Sequence, residues 1–204
     1  MDKKEVLFML VGPYADWEGA ALAAELNSQE SDTPYTVKYV GLTDAPIRSI
    51  GGLRILPDYT VDTVPEDFAG LVLIGGESWR GGDGKPGTKV GDRGPGRKGA
   101  LGALFDATAF LGKNSDLNRA KNTSNFRSEL KEVAGDAYTN EASYIREDAV
   151  RDGNLITANG QSPIAFGKLM LEALEAEPQE KIDMWVDFNT LGLIKAVEKH
   201  FPQN

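Results

Sequence analysis

Short apolar runs recur along the chain, each stopped by glycine or proline and separated from the next by a longer stretch of helical spacing. A strand with one wet face alternates polar and apolar residues, whereas a strand covered on both faces is apolar throughout. The pattern therefore predicts an α/β fold with a mainly parallel sheet between two helical layers. Residues 6–11 (Val-Leu-Phe-Met-Leu-Val) read as the first strand and end at Gly12-Pro13. Residues 16–26 then read as a helix with Asp16 and Glu18 in its first turn, where the helix dipole favours acids. Residues 35–40 form the second strand, Gly51-Gly52 marks a small hairpin within 47–60, and residues 70–74 form a third buried strand ending at Gly75-Gly76.

Further along, residues 124–133 are amphipathic and predict a helix capped by Ser124. Asp152-Gly153 between two apolar arms predicts a hairpin over 149–158. Ser162-Pro163 supplies a cap and a first-turn proline for a helix carrying Ile164, Phe166, Leu169, Leu171 and Leu174. From about residue 178 a helical extension follows, with Ile182, Trp185, Val186, Phe188 and Leu191 spaced to bury one face. The 204 residues are expected to form a single domain.

Residues 80–99 break the pattern with eight glycines, two prolines and only Val90 as a large apolar side chain. Such a segment cannot bury enough surface to offset its ordering entropy, so a loop is expected where a crossover helix would normally pack. Its six basic residues against two acids also suggest a phosphate-binding arm, but no aromatic interleaves them to stack on bases. The whole chain has a net charge of −9, which repels phosphate backbones and anionic lipid, so neither nucleic acid nor membrane is expected as a partner. The opening apolar run is too short for a signal peptide core, and a cytoplasmic location is the default expectation.

The inventory of reactive side chains is small. With no cysteine and one histidine, the chain offers no disulfide, no thiolate metal site and no cysteine nucleophile. His200 lies four residues from the C-terminus, where a helix end favours its charge and a catalytic role is not expected. Neither a metal nor another cofactor is implied. Yet residues 100–112 read as a buried strand running straight into a helix, the turn on which α/β hydrolases mount a Ser or Cys. The tip of that turn is Phe105, a bulky aromatic in a position that is often held at positive φ.

Several segments together resemble the DJ-1/PfpI family of the class I glutamine amidotransferase-like superfamily, in particular its bacterial branch of proteases and amidases. They are Tyr14-Ala-Asp-Trp-Glu-Gly19, Ser49-Ile-Gly-Gly52, Leu73-Ile-Gly-Gly-Glu-Ser-Trp79, Asp106-Ala-Thr-Ala-Phe-Leu111, Thr123-Ser-Asn125 and residues 149–160. The resemblance implies a flavodoxin-like three-layer sandwich, a homodimer, and a site for a small molecule. It also implies an elbow cysteine as nucleophile, an acid after the first strand, an assisting histidine and an oxyanion site of backbone amides. Carried over, the acid is Glu18 and the amides are those of Gly76 and Asp106. The nucleophile position is Phe105 and the histidine position is Asn122, so both reacting side chains are replaced.

The resemblance thus predicts a family member without cysteine-dependent hydrolase, amidase or glyoxalase activity. Ser78 and Thr108 are the nearest hydroxyls in sequence, without a histidine beside them. Two alternatives stay open. One is a cysteine enzyme of the family whose recorded sequence is altered over 79–105, against which Asn122 stands well past the tract. The other is a non-covalent enzyme using Glu18 as general base.

Overall fold

The computed structural model describes residues 3–28, 33–81 and 99–202. Nine strands are described: β1 (Lys4–Met9), β2 (Tyr35–Gly41), β3 (Ile47–Arg48), β4 (Arg54–Ile55), β5 (Tyr59–Thr60), β6 (Gly70–Leu73), β7 (Ala100–Leu104), β8 (Ala149–Asp152) and β9 (Leu155–Ala158). The described helices are α1 (Asp16–Asn27), α2 (Ser78–Gly81), α3 (Asp106–Lys113), α4 (Arg127–Ala134), α5 (Pro163–Leu174), α6 (Gln179–Thr190) and α7 (Leu193–His200). Seven strands form one sheet in the order β5-β2-β1-β6-β7-β9-β8, parallel except for β8, and β3 pairs with β4 in a separate antiparallel hairpin. The fold is the three-layer α/β sandwich that the apolar runs predict.

The first strand shows why those runs are continuous. Val6, Phe8 and Leu10 face one core with Leu22 and Leu26 of α1 and Phe166, Met170 and Leu174 of α5. Leu7 and Met9 face the other, with Ala107, Phe110 and Leu111 of α3 and Leu130 of α4. Alternate side chains point to opposite faces and both faces are covered, so every position must be apolar. β6 follows the same rule, being buried at all four residues.

Several local readings are corrected. Ser124 does not cap α4: Phe126 occupies the cap without a side-chain bond, and the Ser124 hydroxyl donates to its carbonyl at 3.2 Å. Ser162 precedes α5 but makes no capping bond, although Pro163 opens the helix as expected. In the hairpin, Asp152 pairs with Leu155, so the turn is Gly153-Asn154, one residue later than the Asp-Gly signal. The tail buries less than its spacing suggests: in α6 only Ile182 is buried, Trp185 lies half-buried against the core, and Leu191 is exposed. Gly192, at φ 81°, ends that helix and starts α7 in a new direction. The glycine-rich tract read as a loop lies outside the described residues, apart from Arg80, Gly81 and Gly99.

Candidate functional site at the β7–α3 elbow

Four chain segments meet at the C-terminal edge of the sheet, where α/β folds gather their ligands. β7 ends at Leu104, and α3 starts at Asp106 with Phe105 between them at φ 49° and ψ −126°. That backbone is sparsely populated for a side chain branched onto a ring, and it is held from both sides: Phe105 N–H donates to Ala158 O at 3.2 Å, and its carbonyl accepts from Thr108 N–H at 3.1 Å. The elbow geometry is therefore intact although its tip carries no reactive atom.

The second segment is the start of α1. Ala15 N–H donates to Gly75 O at 2.9 Å, and Gly75 N–H returns the link by donating to Glu18 Oε2 at 2.6 Å. Glu18 is fully buried, and its Oε1 has no hydrogen-bond partner among the described residues. Burial pushes its carboxyl up from 4.5 to about 8, the Gly75 bond opposes this, and the charge of Asp106 adds to it. A carboxyl raised to about 8 favours the neutral form at pH 7, and its burial keeps that proton inside the elbow.

The third and fourth segments, which follow β6 and β9, each contribute a glycine that lets the other two approach. A Cβ on Gly75 would lie 2.6 Å from Phe105 Cβ and 2.8 Å from both carboxyl oxygens of Glu18. A Cβ on Gly160 would lie 2.8 Å from Glu18 Oε1 and 3.0 Å from Phe105 Cβ. No other residue type fits either place without moving the acid away from the elbow. Gly160 is fixed in turn by Asn125, whose Oδ1 accepts its N–H at 2.8 Å, and by Trp17, whose indole N–H donates to its carbonyl at 2.7 Å.

Over the outer side of Phe105 lies Arg80, its guanidinium carbon 5.7 Å from the ring centre. Arg80 Nε donates to Asp106 Oδ1 at 2.9 Å, and a second nitrogen lies 4.0 Å from Glu129. Burial raises the Asp106 carboxyl and the Arg80 bond works against that rise. The amide hydrogens of Gly76 and Asp106 find no acceptor among the described residues. Gly76 itself must be glycine, since a Cβ there would meet Pro13 O at 2.4 Å.

Of the residues singled out in the sequence, Glu18, Phe105, Gly76 and Asp106 belong to this elbow assembly. Asn122 is committed elsewhere: its Oδ1 accepts from Tyr138 hydroxyl at 3.1 Å and its Nδ2 donates to Ala120 O at 2.9 Å. The hydroxyls of Ser78 and Thr108 are also engaged, donating at 2.6 Å to the carbonyls of Gly12 and Phe105. His200 sits at the end of α7, 2.7 Å from Asp187. Arg80, Gly160 and Trp17 join the site without a signal in the sequence that marks them as site residues. Gly160 closes the Asn-Gly pair at the end of β9, the one sequence sign of a close backbone approach, and Arg80 was hidden at the border of the glycine-rich tract.

A groove of about 970 Å³ lies beside the elbow, lined by Phe126, Arg127, Tyr144, Arg146 and Asn125; Asn125, which holds Gly160, links the two, while Glu18, Gly76, Phe105 and Asp106 do not line it. Among the described residues no cluster of three His, Asp or Glu side chains is arranged to hold a metal, and no helix is long and apolar enough to cross a membrane.

The DJ-1/PfpI family model matches residues 4–173. The chain is 35% identical over 197 residues to the uncharacterized protease YdeA of Bacillus subtilis, covering 97% of this chain and 96% of that protein. It is 30% identical to the uncharacterized protease YoaZ of the same organism, covering 93% and 92%. A crystal structure of a ThiJ/PfpI family protein from Bacillus anthracis superposes with a TM-score of 0.85 at 30% identity, covering 96% of this chain and 94% of that one. The chain belongs to the DJ-1/PfpI family.

Proposed function

We propose that this member of the DJ-1/PfpI family uses the elbow site to bind a small molecule and lacks the cysteine-dependent hydrolase, amidase or glyoxalase chemistry that the resemblance implies. The observation that carries this reading is the side chain at position 105. Attack on a carbonyl needs a thiolate or an activated hydroxyl at the elbow tip, and phenylalanine has neither. The two nearby hydroxyls each donate to a backbone carbonyl, and the chain's single histidine is paired with Asp187 on the C-terminal helices. What supports binding is the part of the site that remains: the amides of Gly76 and Asp106, which find no acceptor among the described residues, at an elbow that a groove approaches through Asn125. These are hydrogen donors, and they suit a ligand rich in acceptors, such as a carbonyl compound or a carboxylate.

One observation favours a second reading. A carboxyl held at about 8 is poised to exchange a proton near neutral pH, as a general base in a reaction without a covalent intermediate requires. Its complete burial beneath Phe105 and Gly160 weighs against this, because a base must reach the proton it removes.

The test is to assay the pure protein on methylglyoxal, an activated ester and a peptide substrate, the last because both curated relatives are named as proteases. The expected result is no turnover by the wild-type chain. Turnover that survives Glu18→Gln would overturn both readings, and turnover lost in that variant would establish the second.

A further inference from the structure

The groove beside the elbow has a chemistry of its own. Its two walls, residues 123–128 and 141–148, are tied to each other by hydrogen bonds. Asn122 N–H donates to Ser143 O at 3.2 Å, Ile145 N–H donates back to Asn122 O at 2.8 Å, and the Thr123 hydroxyl donates to Glu147 O at 2.9 Å. The Tyr144 hydroxyl adds a bond to Ser124 O at 3.1 Å. A ligand entering between these walls meets a preformed shape. Five charged side chains line it: Arg127, Arg146, Glu141, Glu147 and Asp148. Two of the acids are committed, Glu141 to Lys131 at 3.7 Å and Asp148 to Asn159 Nδ2 at 3.0 Å. Neither guanidinium has an ion pair or a hydrogen bond among the described residues, and of the acids only the exposed Glu147 is in the same condition. Two free cations therefore face one free anion, on a chain whose net charge is −9. The start of α4 lines the groove as well, with no side chain capping it, so its open amides add to the positive potential. Phe126 stands on the same wall and is 63% exposed.

We propose that this groove is a binding site for a small phosphate monoester that carries a flat ring. Two guanidinium groups call for a dianion. A phosphate monoester supplies nearly two negative charges on three terminal oxygens, and the planar N–H forks of arginine take such oxygens in pairs. A lone carboxylate would leave one of the two cations uncompensated. The ring is called for by Phe126, whose exposed side chain offers a face or edge to an aromatic partner. The acidic surface does not forbid such a ligand. A polymer of phosphates would meet the field of the whole chain, whereas a single phosphate feels charges only within a Debye length of about 8 Å, where the arginines dominate. The site is separate from the elbow, because Glu18, Gly76, Phe105 and Asp106 do not line the groove, and it stands whether or not the elbow takes a ligand.

The test titrates the full-length chain with phenyl phosphate, inorganic phosphate and phenol, followed by protein NMR above the second phosphate pKa of about 6. Arg127→Ala, Arg146→Ala and Phe126→Ala are compared with the wild type. Arg54→Ala, which removes an exposed arginine from β4, controls for the loss of one charge. The expected result is saturable binding of phenyl phosphate with a Kd below about 1 mM. Either groove arginine variant should weaken it about tenfold or more, with far-ultraviolet dichroism unchanged because neither guanidinium holds the fold together. Phe126→Ala should weaken phenyl phosphate about fivefold and leave inorganic phosphate as it was. Absence of saturable binding by the wild type overturns the proposal. So does binding that survives both arginine variants, which would put the probe at the elbow or elsewhere, or a loss in Arg54→Ala as large as theirs. Phenol bound as tightly as phenyl phosphate refutes anion recognition, and inorganic phosphate bound as tightly refutes the ring.

Discussion

Glu18 gives the sharpest handle on this site, because its protonation ties stability to pH. Its carboxyl ordinarily titrates at 4.5 and is raised to about 8 in the folded protein, chiefly by burial. Between those values the folded chain keeps a proton that the unfolded chain has released. Stability from the neutral carboxyl is therefore complete below pH 4.5 and is lost progressively as pH rises through about 8. From pH 4.5 to 7 the loss is about 2.5 units at about 1.36 kcal/mol each, or about 3 kcal/mol. Glu18→Gln removes the titration while keeping an oxygen to accept the Gly75 N–H bond. Its new amide hydrogens have no evident acceptor, which costs a constant amount at every pH. Urea unfolding of both proteins at half-unit steps from pH 4.5 to 9 should show the variant gaining on the wild type by about 3 kcal/mol by pH 7, with a plateau above pH 8. A difference between the two that stays flat across the range refutes a buried, protonated Glu18.

Other perturbations test the same geometry. Phe105→Cys places a thiol at the N-terminus of α3, where the dipole favours the thiolate, and should be alkylated by iodoacetamide while the cysteine-free wild type takes up none; mass spectrometry reads the adduct. Gly160→Ala drives a methyl group against Glu18 and Phe105 and should lower stability by about 2–4 kcal/mol in urea unfolding, with a companion loss in Gly75→Ala. Arg80→Ala leaves Asp106 without its ion pair. The half-exposed arginine limits the cost to about 1–2 kcal/mol at neutral pH, and the cost should shrink in acid as Asp106, its carboxyl raised by burial, takes a proton. Reading the gene across codons 75–125 on both strands should return Phe105 and Asn122; a cysteine codon at the elbow would replace the binding reading with a cysteine enzyme.

The layers of the fold were legible because burial on both faces of a sheet leaves one kind of sequence, and Leu7 and Phe8 are both apolar for that reason although they enter different cores. The elbow was legible for a related reason: a glycine-containing strand, a tip and a helix within thirteen residues admit few geometries. Caps were not. Ser124 and Ser162 have the right composition, but a hydroxyl two or three residues from a helix also reaches other carbonyls, and Ser124 took Phe126 O instead. The tail misled for a different cause. Its spacing marks an apolar face without saying what covers it, and residues 191–201 present that face to the outside. Arg80 escaped notice because composition grouped it with a tract to which its interactions do not belong.

The strained backbone at Phe105 bears on what the site has retained. A residue held at φ 49° without a reactive atom gains nothing chemically from that conformation, so the strain must be sustained by its surroundings. Those surroundings are identifiable: Ala158 and Thr108 fix the peptide on either side, Gly75 and Gly160 leave the Cβ its only room, and Arg80 covers the ring. None of these contacts depends on the identity of the side chain except the last. The elbow is thus a property of the scaffold, set by β7, α3 and two glycines, and the side chain at its tip can change while the turn persists. The same separation explains how Glu18 remains buried and protonated with no thiol beside it: its environment is made by Gly75 and Gly160, which a change at position 105 leaves in place.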